Sequence, residues 1–439
     1  MAWQFPQSQT VTGANAVILD EDGESVFVAR EVYLAVEGPG YNTIRGTLSN
    51  HQVVIAGTVA NASNDTISIG TSSAIEHSSV ITVEETGQVR NFEAGAIRIN
   101  GYDMGLVNHG LIESAGFAIV MNGQAATGAS SIVNTGIIDA EKVAISHGGS
   151  GTTTETLTVF NTGTIKGGGE SYDSLTIWVA KDEITNNGTM IGDAYLGGGD
   201  DLYDGRLGTI DGDVFGDVGK DRLYAGAGND RLFGQDGNDT LMGGAGADYL
   251  SGGSGSDRVS YASSGKAVIV SLANPAINSG DAKGDTFVSI EHLSGSNYDD
   301  ALNGNGGNNA INGGAGNDTI KGYAGNDTLT GYSGADTFVF NTALNASTNA
   351  DAITDFSFAA DTIQLDDAIF TALSAGVLAA GAFRSNTTGL AQDADDRIIY
   401  ENDTGELYYD ANGNASGDGI LFAKLGIGLG LTNADFVVI

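Results

Sequence analysis

Carboxylates recur every nine residues in two stretches of this chain. They are Asp221, Asp230, Asp239, Asp248 and Asp257, then Asp300, Asn309, Asp318, Asp327 and Asp336, with Asn309 the one amide among them. Acids gathered by a fold repel one another unless a cation lies between them, and the neighbouring residues decide which cation. Here the neighbours are glycines, so the further donors on offer are backbone carbonyls. An all-oxygen set in loose geometry suits calcium, whereas magnesium demands a stricter octahedron. Zinc would call for His or Cys, and these segments have neither.

The aspartates belong to a nine-residue phrase. It is repeated without a gap over residues 216–260 as GDVGKDRLY, AGAGNDRLF, GQDGNDTLM, GGAGADYLS and GGSGSDRVS, and a second run of five phrases begins at Gly295. The fourth position is Gly except at Tyr298, the sixth is Asp except at Asn309, and the eighth is aliphatic except at Phe338. Glycines in the first half permit a turn with positive φ and leave carbonyls uncovered, while the last three residues read as a short strand with one inward side chain. Turn and strand alternate, so two phrases make one coil of 18 residues, and every second phrase stacks on the same edge. The acids then fall into files: Asp221, Asp239, Asp257 and Asp230, Asp248 in the first run, Asp300, Asp318, Asp336 and Asn309, Asp327 in the second. Asp221 should head its file. Three sites between stacked turns in each run give roughly six calcium ions or more, with the Asn309/Asp327 pair the weakest because one donor is neutral.

The phrase GGxGxDxUx resembles the calcium-binding nonapeptide of RTX proteins over residues 196–336. That resemblance implies a parallel β-roll and export by type I secretion. GGGDD at residues 197–201 already has the turn chemistry, with Asp201 in the sixth-position role as a further ligand and Tyr203 in the eighth. The 20 residues from Asp201 to Asp221 mark a slip from the regular step. Between the runs, residues 261–294 form a spacer, in which AVIVSLA and DTFVSIEHL read as two strands and Asp281, Asp285 and Glu291 offer a further acidic cluster.

A different repeat precedes the roll. Asn-x-Gly recurs at Asn108, Asn134, Asn161 and Asn186, each followed two residues after its glycine by Ile112, Ile138, Ile165 and Met190, with Val89 so placed after the variant at Gly87. A period near 25 residues, rich in β-branched side chains, is one rung of a three-sided parallel β-helix, and the asparagines should stack as a ladder at one corner. The pattern resembles the solenoids of secreted bacterial adhesins. The expected fold class is therefore all-β: a right-handed parallel β-helix, a calcium-binding parallel β-roll and a C-terminal β domain. The expected boundaries are cap strands 1–45, β-helix 46–195, first roll block 196–260, spacer 261–294, second block 295–336 and C-terminal domain 337–439.

Residues 337–439 resemble the C-terminal domain of secreted RTX proteins such as the serralysin proteases, through Asp351-Ala-Ile-Thr-Asp355-Phe356, Asp361-x-Ile363-x-Leu365-Asp366, Ile398-Ile399-Tyr400 and Leu407-Tyr408-Tyr409-Asp410. The protease half is not among these matches, so export and folding are what the resemblance implies. Asp410-x-Asn412-x-Asn414 begins like a calcium loop but lacks the sixth-position Gly, and a plain turn is expected. Asp435 followed by Phe436-Val437-Val438-Ile439 resembles an uncleaved C-terminal export signal, which fits an N-terminus without a basic start and apolar run.

Composition narrows the partners. Fifty-five acidic against 18 basic residues give a net charge of −37, which excludes nucleic acid as an ordinary partner and makes folding depend on bound cations. With no cysteine, metal is the available staple for a chain folding outside the cell. No stretch approaches the ~18 apolar residues of a membrane helix, so no membrane insertion is expected. Asp139, Glu141, Lys142 and His147 could share a rung as a catalytic group, but HExxH and GxSxG are absent and residues 1–195 hold seven Lys and Arg. The expected function is a calcium-binding structural protein of a Gram-negative cell surface or matrix. It would self-assemble as a homo-oligomer, with type I secretion machinery and cell-surface polysaccharide as partners; the alternative is a β-helix epimerase or lyase acting on polysaccharide. An RTX pore-forming toxin is least expected, because its long apolar helices are missing.

Overall fold

The computed structural model describes residues 3–12, 14–47, 49–70, 76–123, 128–149, 155–174, 181–413 and 418–439. Among them there is no α-helix, only short strands and four 3-10 turns. The chain forms two units, Met1–Gly243 with Ser251–Gly255, and Gly244–Leu250 with Ser256–Ile439.

The first unit begins as a three-sided parallel coil. Along one side the registered inward residues are Val26, Val53, Ile81, Leu106, Ile132, Val159 and Ile184, each at most 1% exposed. A second side stacks Val59, Val89, Ile112, Ile138, Ile165 and Met190, and a third stacks Ile67, Ile97, Ile119 and Ile145. β-branched side chains dominate because each strand offers one inward position per pleat, and a branched residue packs against its copies above and below. At the corner, Asn108, Asn134 and Asn161 each donate Nδ2–H to Oδ1 of the next asparagine at 2.8 Å, ending at Asn186. All four are fully buried, so the ladder satisfies amides that water cannot reach.

The described residues of segment 1–45, expected as a cap, are rungs themselves. Trp3–Gln4, Gln9–Thr12 and Val17–Leu19 pair in parallel with Ser25–Val28, Tyr33–Glu37 and Ile44–Gly46, and these with the strands that follow. Their shorter, less regular corners hid the period.

The coil then loses a side. The second side ends at Thr209–Asp211, registered on Thr189–Ile191, while the first continues through Tyr203, Leu223 and Leu241, and Ala194, Val214 and Leu232 carry on the other. The step is 20 residues between Asp201 and Asp221, and it falls to 18 between Asp221 and Asp239, where the third strand is gone. The 20-residue step is the coil that still carries Thr209–Asp211.

The second unit is a two-sided roll that runs into its own β domain. One side stacks Val259, Leu293, Ile311, Leu329 and Ile353, the other Val270, Leu302, Ile320, Phe338, Ile363 and Phe436, all at most 2% exposed. The spacer segment DTFVSIEHL is two strands, Thr286–Val288 and His292–Ser294, broken at Ser289 where φ is 51°. The terminal strand Phe436–Val438 lies parallel to Thr362–Leu365, and Ile398–Glu401, Glu406–Tyr409 and Ile420–Lys424 form an antiparallel meander.

Candidate metal centre

Each acid of the nonapeptide phrase occupies the position just before a strand, where the chain leaves a tight turn. Its partner is the backbone of the coil before it. Oδ1 of Asp239 accepts the N–H of Asp221 at 2.9 Å, Oδ1 of Asp221 that of Asp201 at 2.8 Å, and Oδ1 of Asp201 that of Asp182 at 2.6 Å. In the second unit the same bond joins Asp318 to the N–H of Asp300, Asp336 to Asp318, Asp327 to Asn309, and Asp351 to Asp327. One oxygen of each carboxylate is thus fixed by the stacking. Asp221 is interior to its file, not its head.

The other oxygen is left over. Oδ2 of Asp201, Asp221, Asp318 and Asp327 is buried with no hydrogen-bond partner, an arrangement a folded protein keeps only where something else supplies positive charge. The turns are shaped around it. A Cβ at Gly216, Gly313 or Gly322 would fall on Oδ2 of Asp221, Asp318 or Asp327, and the carbonyl oxygens of Gly234 and Gly331 lie 2.9 and 2.8 Å from the Cβ positions at Gly216 and Gly313. The second residue of these turns is left-handed, with φ of 70° at Asp217, 114° at Gly314 and 72° at Tyr323.

All eleven sixth-position residues are buried: Asp201, Asp221, Asp230, Asp239, Asp248, Asp257, Asp300, Asn309, Asp318, Asp327 and Asp336. Burial pushes the carboxyls up, to about 9 at Asp201, about 7 at Asp221 and Asp318, and about 6 at Asp327, with stacked acids adding to the shift at the first three. Asp230, Asp300 and Asp336 are raised by the same burial. Among the described residues no three His, Cys, Asp or Glu side chains gather as a metal cluster, so a bound ion would take most of its donors from turn carbonyls. Buried carboxylate and carbonyl oxygens, with no nitrogen or sulfur, fit a hard cation of calcium's size.

Several members of the files carry no phrase around them. Asp182 precedes Asp201 in the first unit; in the second, Asp351 follows Asp327 and Asp361 follows Asp336. Asp351 is pushed up to about 8, by burial first and then by Asp327. The spacer acids do not form one cluster. Asp285 stacks under Asp248, Glu291 accepts the N–H of Asp257, and Asp281 pairs with Lys266 at 3.1 Å. Asp410 Oδ1 accepts the N–H groups of Asn412 and Gly413 as a plain turn; Asn414 lies outside the described residues.

The supposed catalytic rung is divided. Asp139 and Glu141 line an outer groove of about 320 Å³ with Glu113, Lys166 and Phe92. Glu113 and Asp139 are register neighbours between Arg90 and Lys166, paired to them at 3.4 and 3.0 Å, and all four side chains are at least 36% exposed. His147 is elsewhere, buried against Asp182 at 3.2 Å. Burial works to lower that imidazole, but the Asp182 carboxylate outweighs it and the net shift is upward.

The family model of the RTX calcium-binding nonapeptide repeat matches four times, at residues 215–250, 233–263, 289–320 and 312–341. These segments are RTX repeats, and such repeats bind calcium. No curated protein matches the chain. Among solved structures, the extracellular lipase LipA of Serratia marcescens is similar at 14% identity, over 66% of this chain and 45% of the lipase, with a TM-score of 0.17. The chain therefore spans less than half of that lipase, and at that score neither its fold nor its activity carries over.

Proposed function

We propose that this RTX protein is a secreted structural protein of a bacterial surface or matrix, which folds on meeting extracellular calcium and then self-assembles. The observation that carries the reading is the buried, unpartnered Oδ2 of Asp221, Asp318 and Asp327, with the turn carbonyls of Gly234 and Gly331 close to the first two. A chain of net charge −37 holding such acids is unfavourable without cations and favourable with them. Calcium-poor cytosol would leave the roll unfolded for type I export, and calcium outside would order it. Asp201, Asp221, Asp318 and Asp327, whose second oxygens are left over, are assigned as ligands together with carbonyls of their turns. Solenoid coils present open backbone edges and long flat faces, which suits stacking on further copies or on surface polysaccharide.

The test is to strip the purified protein with chelator, add calcium, and follow far-UV circular dichroism and electron micrographs. The expected outcome is a gain of β signal followed by ordered sheets or filaments. Monodisperse protein at saturating calcium would refute the assembly, and no spectral change would refute calcium-driven folding.

The second reading, a polysaccharide-cleaving or epimerising β-helix, has one observation in its favour: the Glu113/Asp139 pair between Arg90 and Lys166. Its exposed, ion-paired side chains are also what a solvated face carries. Glycan turnover abolished by Glu113→Gln or Asp139→Asn would favour the enzyme.

A further inference from the structure

The turns of the second unit are of two kinds. At Asp318 and Asp327 the second residue of the turn is left-handed, its N–H makes no bond to the carboxylate, and Oδ2 is buried and unpartnered. At Asp300 and Asn309 the corresponding residues, Ser296 and Asn305, are not left-handed. Their N–H groups turn inward, to Asp300 Oδ2 at 2.5 Å and to Asn309 Oδ1 at 2.8 Å. Ser296 Oγ adds a bond to Asp300 Oδ1 at 2.9 Å, and Asn309 Nδ2 donates to the Glu291 carbonyl at 3.1 Å, placing an amide hydrogen on an oxygen of the kind that would otherwise face an ion. Asp285, from the spacer, is closed by a third device. Its Oδ1 takes the N–H of Asp248 at 2.9 Å and its Oδ2 the hydroxyl of buried Tyr261 at 2.6 Å.

Resting on the calcium reading above, we propose that residues 261–309 form a metal-free block within the calcium ladder, in which Tyr261, Ser296, Asn305 and the Asn309 amide supply the hydrogen-bond donors that replace calcium. A hard cation and an N–H or O–H donor satisfy a buried oxygen in the same electrostatic sense, but the donor is covalently part of the chain and needs no supply from solution. Ions of the second run then begin at Asp318 and Asp327. Asp300 and Asn309, which share the sixth position with true ligands, are set apart by the conformation of the residue four places before them. The block is ordered by its own side chains whether or not calcium is present.

Crystals of the full chain grown in calcium, with anomalous differences collected, test this directly. Peaks are expected beside Oδ2 of Asp318 and Asp327, and none in contact with Asp285, Asp300 or Asn309; a peak at any of those three overturns the proposal. In equilibrium dialysis, Asp318→Asn is expected to lose at least one bound ion and Asp300→Asn none, with circular dichroism at saturating calcium confirming that both variants fold. Equal losses would also overturn it. Calcium bound nowhere would instead remove the calcium reading, and this block with it.

Discussion

Asp182 donates its backbone N–H to Oδ1 of Asp201 across 2.6 Å, and this bond joins the three-sided coil to the two-sided roll. The contact is one of a column. His51 donates its N–H to Ser79 Oγ, Met104 to Ser130 Oγ and Leu157 to Asp182 Oδ1, at 2.9 to 3.1 Å, before the run of aspartates takes over. The acids of the roll thus continue a capping position that the β-helix already uses with serine. What changes at Asp201 is that the side chain has a second oxygen, and with it a capacity for metal.

Replacing Asp201 separates the two roles. Asp201→Ala removes the carboxylate oxygen that accepts the buried Asp182 N–H, a loss of about 1–3 kcal/mol. Asp201→Asn keeps an oxygen in place and is expected to cost less. Thermal melts should rank wild type, Asn and Ala in that order with calcium present. A variant Ala as stable as Asn would show that the bond contributes nothing.

The first-position glycines are held by the carboxylate. A Cβ at Gly313 meets Asp318 Oδ2, which belongs to backbone-anchored structure and has nowhere to move. Gly313→Ala is expected to weaken calcium binding at Asp318 and lower the calcium-loaded melting point. By contrast Tyr332, exposed and at φ 69°, carries a side chain in a conformation that suits glycine. Tyr332→Gly should stabilise the protein, by up to about 1 kcal/mol. Calcium titrations and melts of the two variants check both signs.

The asparagine ladder should respond to a single deletion. Asn134→Ala takes one of two bonds from Asn108 Nδ2, which keeps the Ile137 carbonyl, and one of two from Asn161 Oδ1, which keeps the Gly163 N–H, at a site with no access to water. A loss of about 1–3 kcal/mol is expected, from two lost buried hydrogen bonds and a small cavity. Denaturant unfolding at saturating calcium measures it; a loss under about 0.5 kcal/mol would mean that the ladder relaxes around the gap.

Much of this was legible where side chain and period coincide. The residues two after each Asn-x-Gly glycine, Ile112, Ile138, Ile165 and Met190, are all inward, and the 18-residue step of the roll appears in the bonds from Asp221 to Asp239 and from Asp300 to Asp318. Asp182 was not legible, because the column it occupies is stepped by 19, 20 and 25 residues as the coil changes shape, and a varying step leaves no period to find. Nor could spacing distinguish Asp300 from Asp318. Both sit sixth in their phrases, and the difference lies in the backbone at Ser296 and Gly314. Rungs before residue 46 were missed because they lack the Asn-x-Gly corner, although Val26 and Leu34 are as buried as any later rung.

Protons and calcium should compete for the same oxygens, with a sign that reverses on chelation. Burial raises the carboxyls of Asp327, Asp221, Asp318, Asp351 and Asp201 to between about 6 and about 9, from the ordinary aspartate value of 3.8. A group whose folded pKa lies above its unfolded one favours folding while protonated. Its contribution is complete below about pH 4 and is lost as pH rises through the folded values. The metal-free protein is therefore expected to melt higher at pH 5 than at pH 8. Calcium binds the ionised form and displaces those protons, so the increment in melting temperature produced by calcium should grow over the same interval. Melts followed by circular dichroism at pH 5, 6, 7 and 8, with chelator or with saturating calcium, give both curves. A calcium increment that stays flat across this range would mean that the buried carboxylates are not where the ion binds.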